Sequence, residues 1–268
     1  MVKKIGTLIL TLTLVGCGGE SSKDSDKGDN TQSAENTPNN KTTPDGKSQA
    51  ANRGGDNKGS GGRVDGVFTA GKNMQDMNQF KQVALAMHNF HTVYRQFPVV
   101  PLKTGKKRHE NLSWRVSILP FLELVPEYEK FKEMEAWDSA TNKPLAEGKG
   151  KDQFKLSNGN LLSTIKLKNQ PRALRDIIDG SSNTVMLMEN PNASGDQWTQ
   201  NVDITAEDAV KAVKSLKKGE FLLACFFDGS ALKIYSTEGK NVTDEDIMGL
   251  FVHNDGKPLN EELLRPGK

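Results

Sequence analysis

The sequence predicts an α+β domain in which one long helix packs on an antiparallel sheet. Three observations predict it. Apolar residues recur at helical spacing across one early segment, later apolar runs are short and bounded by turn residues, and one Asp-Gly pair sits between two such runs. The helix reading covers Asn73 to Tyr94, where Met74, Met77, Phe80 or Lys81, Ala84, Met87 or Leu85, and His91 or Phe90 recur near helical spacing. Phe97-Pro98 ends it, because the residue before a proline is pushed out of helical geometry. Ser113 to Leu119 reads as a strand stopped by Pro120, and Pro126 to Met134 as a short helix opened by proline and glutamates. Leu161 to Lys168 reads as a strand. Asp179-Gly180 reads as a turn leading into a strand from Thr184 to Met188. Thr205 to Asp208 resembles a capping box, and the helix behind it runs to Lys218 with Gly219 as its stop. Phe221 to Phe227 and Ala231 to Tyr235 flank Asp228-Gly229 as a hairpin. Thr243 to Asp246 opens a last helix carrying Ile247, Met248, Leu250 and Phe251.

Composition places this domain at the end of a longer arrangement. The chain has 268 residues, with 36 Lys+Arg against 34 Asp+Glu and a formal charge of +2; a balance this even argues against nucleic acid as a partner. Its two cysteines exclude a disulfide scaffold. At the N-terminus, Lys3 and Lys4 precede an apolar stretch from Ile5 to Val15 that is too short to span a bilayer. Leu14-Val15-Gly16-Cys17 then resembles a bacterial lipobox. The expectation is a lipoprotein signal over residues 1–16, cleavage before Cys17, and acylation of that cysteine as a membrane anchor. Gly18 to Arg63 contains no Val, Ile, Leu, Met, Phe, Trp, Tyr or Cys, so residues 17–72 read as a disordered linker. A flexible coil of that length spans roughly 40 Å. The folded domain then occupies residues 73–268, with its surface expected to face the periplasm or the exterior.

Several runs are similar to those of a planctomycete protein family of unknown function described as pseudopilin-like (PulG-like). They are Asn89-Phe90-His91 with Tyr94 and Phe97-Pro98; Leu112-Ser113-Trp114-Arg115-Val116-Ser117-Ile118-Leu119-Pro120; Trp137-Asp138-Ser139 with Asn142-Lys143-Pro144-Leu145; Asp179-Gly180-Ser181-Ser182-Asn183-Thr184; and Phe227-Asp228-Gly229-Ser230. The resemblance implies a pilin-like fold and a role in a secretion or pilus-like assembly, or as a transport component. Two features depart from it. A lipoprotein leader stands where the family has a prepilin leader, and Lys218 stands where the family has a histidine ten residues before the Asp-Gly pair.

Chemical signatures are sparse. His88 and His91 lie three apart and could begin a metal site with His109 or His253, but no fixed spacing supplies a third ligand. Trp137 and Trp198 are candidates for stacking on a sugar, while Trp114 reads as core. Asp179 and Asp228 are accounted for by turn chemistry. Cys225 reads as an inert buried thiol. No G-x-S-x-G, H-E-x-x-H, P-loop or dinucleotide fingerprint occurs. The sequence therefore reads as non-enzymatic and without cofactor, a protein that binds other envelope proteins. The alternative is a module that captures a small molecule or glycan outside the membrane.

Overall fold

The computed structural model describes residues 61–99 and 108–267. The expected signal peptide, Cys17 and most of the expected linker lie outside the described residues. Helix α1 spans Gly61–Tyr94 and so begins inside the segment read as linker, just where apolar residues resume at Val64. Phe80, Val83, Ala84, Met87 and Phe90 form its buried stripe. Each large side chain in such a stripe contributes roughly 1.5–3 kcal/mol. The chain leaves α1 through Arg95, whose φ of 57° lies in the left-handed region. Phe97 N then donates to Arg172 O at 2.7 Å, which ties the helix exit to a distant loop.

Five strands form one sheet in the order β3-β1-β2-β4-β5. They are β1 (Leu161–Lys166), β2 (Val185–Asn190), β3 (Ile204–Thr205), β4 (Phe221–Phe226) and β5 (Ala231–Tyr235). The expected antiparallel sheet is in fact mixed. β3 pairs parallel to β1 through Ile165↔Ile204, and its two residues are too few to show any alternation in sequence. The β4–β5 pair is the expected hairpin, in register at Phe221↔Tyr235 and Cys225↔Ala231. Gly229, at φ +86°, makes its turn.

The sheet is covered on both faces, where the sequence predicted one helix on one face. Leu223, Cys225 and Phe227 join α1 in one core, while Leu222, Ala224 and Phe226 join Ala209, Val213, Ile247 and Phe251 in a second. That second layer comes from α5 (Ala206–Lys214) and α6 (Asp244–Gly249). Thr243 and Asp246 close a full capping box on α6. α5 stops at Lys214 rather than Lys218, and Gly219 sits in the following turn toward β4.

Two further predictions are corrected. Ser113 to Leu119 is not a strand. Trp114–Ile118 is helix α2, capped by the Ser113 hydroxyl, and Leu119–Leu122 continues it as a 3-10 turn with Pro120 near its start. All five residues of α2 are buried, so no polar face was present to reveal a helical period. The helix expected over Pro126 to Met134 is a single turn, α3 (Val125–Tyr128). A short α4 (Lys151–Phe154) precedes β1. Among the described residues no helix is long and apolar enough to cross a membrane.

Candidate functional site

The strongest polar feature is buried. Arg115 in α2 is completely enclosed, and its guanidinium lies against the edge of β1. Nε and Nη2 both donate to Leu162 O, at 3.0 and 2.7 Å. Nη2 also reaches Ser163 Oγ at 3.0 Å and Val202 O at 3.2 Å, while Nη1 reaches Ser113 Oγ at 2.9 Å and Gln200 O at 3.4 Å. One planar cation thus joins α2, β1 and the segment leading into β3, at the edge where β3 is too short to pair with all of β1. Burial pushes its pKa down to about 10, against the pull of Asp203 and Asp196, so it stays charged at neutral pH. Asp203 itself accepts from Trp114 Nε1 at 3.0 Å and Thr164 Oγ1 at 2.8 Å.

The other motif residues close turns and pin loops. Asn142 is fully buried; its Oδ1 accepts from Lys132 N, and its Nδ2 lies within 3.1 Å of the carbonyls of Lys132, Glu135 and Ala136. It holds the loop that carries half-buried Trp137 and exposed Asp138. Asp179 accepts from Asp255 N and Gly256 N, both at 2.8 Å, which fixes the chain beyond α6. Asn183 Nδ2 donates back to Asp179 O, and Gly180, at φ +99°, supplies the bend between them. Asp228 Oδ1 accepts from Ser230 N within the hairpin turn. The contacts of Asn183 and Asp228 are the local hydrogen bonding for which Asp and Asn are favoured in turns, whereas Asp179 reaches across to a distant segment. Two buried carboxylates escaped sequence reading: Asp76, which accepts from Ser157 N and Oγ, and Glu189. Glu189 lies in an apolar strand and accepts from Asn158, Asn160 and Leu223 N. A charged residue inside the run Val185–Asn190 was the only signal for Glu189.

Two histidines flank Phe97. The rings of His88 and His91 lie 6.1 and 4.9 Å from it, and Phe97 in turn contacts Phe227 at 5.3 Å. His88 hydrogen-bonds the Phe227 main chain, and burial holds its pKa below the ordinary value. His91 is held low by burial, then by the neighbouring charges of His88, Arg95 and Arg175. Its Nε2 is buried without a partner among the described residues, as is His253 Nδ1. His109 accepts from Asn111 N and so closes its own turn. Among the described residues no three His, Cys, Asp or Glu side chains converge to hold a metal ion.

The tryptophans differ from one another. Trp198 is 1% exposed, stacks on Phe154 at 5.4 Å and donates to Ala146 O at 2.7 Å. Both its ring faces and its N–H are thus committed to the interior. Trp137 packs half-buried against the first core. Cys225 is fully buried, and burial pushes its thiol up to about 12, so it is protonated and unreactive at neutral pH.

Taken together, the motif residues build and fasten the domain. A sequence profile of a family described as a protein of unknown function (DUF1559) matches residues 69–166 of the chain. That stretch runs from α1 to β1 and includes His91, Arg115 and Asn142, but not Asp179 or Asp228. No curated protein and no solved structure matches the chain.

Proposed function

We propose that this chain is a non-enzymatic lipoprotein of the cell envelope. Acylated Cys17 holds it at a membrane, a polar linker lets the domain reach outward, and a pseudopilin-like domain of planctomycete type engages other envelope proteins. Its role is accessory, within a secretion or pilus-like assembly or a transport system. The observation that supports protein contact is the outer side of α1. Met74, Leu85 and Val93 stand 67%, 61% and 61% exposed there, on a helix whose inner stripe is already packed. At 100° per residue the three lie within one sector of the helix surface. Exposed large apolar side chains of this kind can contribute burial to a protein–protein contact.

The test is crosslinking in the native cell from a photoreactive residue at position 85, followed by identification of the adducts. Recovery of secretion or pilus-like components, lost in a Leu85→Glu variant that still folds, supports the reading. Recovery of no envelope protein overturns it. Labelled palmitate reads the anchor separately, and a Cys17→Ser chain that remains membrane-bound would remove that part of the proposal.

A further inference from the structure

The surface where β1 ends carries a groove that protein contact through α1 does not use. After Lys166 the chain turns tightly, and Gln170 holds this turn from within. Its Oε1 accepts from Leu167 N at 2.9 Å and its Nε2 donates to Ile165 O at 3.0 Å. Lys166, Leu167 and Lys168 are thereby presented as a fixed lip. Opposite them stand the start of α5 and the chain following α6. Between the two sides lies a groove of about 460 Å³, the size of a small organic ligand.

Its lining is two-sided in chemistry. Leu167, Ala206, Met248 and Val252 make an apolar floor. Lys166 and Lys168 stand exposed at the lip, and neither ammonium has an ion-pair or hydrogen-bond partner among the described residues. Glu207 is the one carboxylate among the described lining residues, so the rim keeps a net positive charge. His253 belongs both to this groove and to a small apolar hollow of about 20 Å³ behind Leu167. It is 6% exposed, its carbonyl is engaged by Ile178 N and Asp179 N, and its Nδ1 is unpartnered. A buried polar atom without a partner is destabilising, and native structures keep few of them.

We propose that this groove binds a small amphiphilic organic anion. The apolar body lies over Met248 and Val252, and the anionic group sits between Lys166 and Lys168. The apolar floor supplies burial, and the paired ammoniums supply selection against neutral ligands of the same shape. This inference is independent of how the chain is anchored and of what α1 contacts.

The test titrates the full chain with 8-anilinonaphthalene-1-sulfonate, an amphiphilic monoanion, and separately with uncharged N-phenyl-1-naphthylamine. The expected result is saturable binding of the anion, weakened at least tenfold by Lys166→Glu with Lys168→Glu. The neutral probe should change by less than about twofold, in keeping with a contact made mainly through charge. Lys217→Glu with Lys218→Glu, on exposed positions after α5, serves as the control for net charge and should leave both probes unchanged. Thermal unfolding establishes that each variant is folded; if the glutamate pair is not, Lys166→Gln with Lys168→Gln replaces it, with at least threefold weakening expected. Absence of saturable anion binding overturns the proposal. So does a loss in the control pair as large as that in the lip pair.

Discussion

Replacing Arg115 with methionine asks whether a buried cation can be a net stabiliser at a sheet edge. Methionine keeps much of the apolar stem and removes the guanidinium. Some of the acceptors then still have partners. Gln200 O keeps Val202 N at 2.9 Å, Val202 O keeps Ser163 Oγ at 3.1 Å, and Ser113 Oγ keeps Arg115 N, now the methionine amide, at 3.2 Å. Leu162 O loses both of its bonds to the guanidinium, at a cost of about 1–3 kcal/mol for a buried orphaned acceptor. The remaining charge-assisted bonds add to this, each worth roughly 1.5–3 kcal/mol and far from additive. Against them stands the relief of desolvating a buried cation, several kcal/mol in the same direction as the substitution. Because the guanidinium also joins three separate segments, the bonds prevail, and the expected net loss is about 3 kcal/mol. Arg115→Lys should not restore it, since an ammonium is a point donor and cannot span acceptors on both sides of a planar fork. Equilibrium urea unfolding followed by tryptophan fluorescence measures this directly, because Trp114 and Trp198 are both buried. A methionine variant as stable as the parent, or more stable, would refute the reasoning. The hydrogen bonds would then do no more than offset desolvation.

Four further outcomes are expected. Asn142→Ala should lower stability by about 1–3 kcal/mol, because the Lys132 amide and the Glu135 carbonyl lose their shared side-chain partner while Lys132 O and Ala136 O keep main-chain donors, and limited proteolysis should newly cut within residues 132–142. Gly150→Ala should cost about 1–3 kcal/mol and change the near-ultraviolet circular dichroism, since an added Cβ would meet the Trp198 ring at 2.5 Å. His88 and His91 are both held below their ordinary value of 6.5, so the unfolded chain takes up protons first. Their contribution is therefore full above that value and is lost as pH falls through it toward the lowered folded values. The urea midpoint should drop as pH falls through 6.5, and His91→Gln should make that drop smaller; a flat midpoint would contradict this. Cys225, with its thiol raised to about 12, should react with a disulfide reagent only after unfolding, and a fast reaction in the native chain would show that the first core opens locally.

The legible parts of the fold were those where local chemistry and tertiary packing agree. The β4–β5 hairpin follows from Asp228-Gly229 between two apolar runs, and α6 follows from Thr243 and Asp246 capping each other. The inner stripe of α1 is only partly visible: Phe80, Ala84 and Met87 lie on it, but Met74, expected with them, is exposed, because the solvent side also carries the apolar Leu85 and Val93. The start of α2 gave the opposite outcome for a physical reason. A five-residue helix buried on every side carries no periodic signal, and its Ser-Trp-Arg-Val run passes for a strand. Arg115 was singled out through resemblance alone, and what it does depends on partners far away in sequence. Leu162, Gln200 and Val202 meet Arg115 only after the sheet has formed, so no local pattern could announce them. The lip at Lys166 to Lys168 was likewise read as the end of a strand, because the clamp from Gln170 is a side-chain interaction rather than a turn dipeptide.

The packing of α1 on β4 and β5 has a consequence for the birth of the protein. Phe80, Val83, Met87 and Phe90 emerge from the ribosome early, yet the strands that cover them end at Tyr235. A chain threaded N-terminus first must carry this apolar stripe without its sheet partners through most of its synthesis, covered only by the segments from Trp114 to Phe154. Contacts this distant in sequence form late, because the intervening loop has to close before they contribute. The helix is thus the first of the described elements to be made and among the last to be fully packed, and any nascent fragment that stops short of Phe221 leaves part of its stripe uncovered.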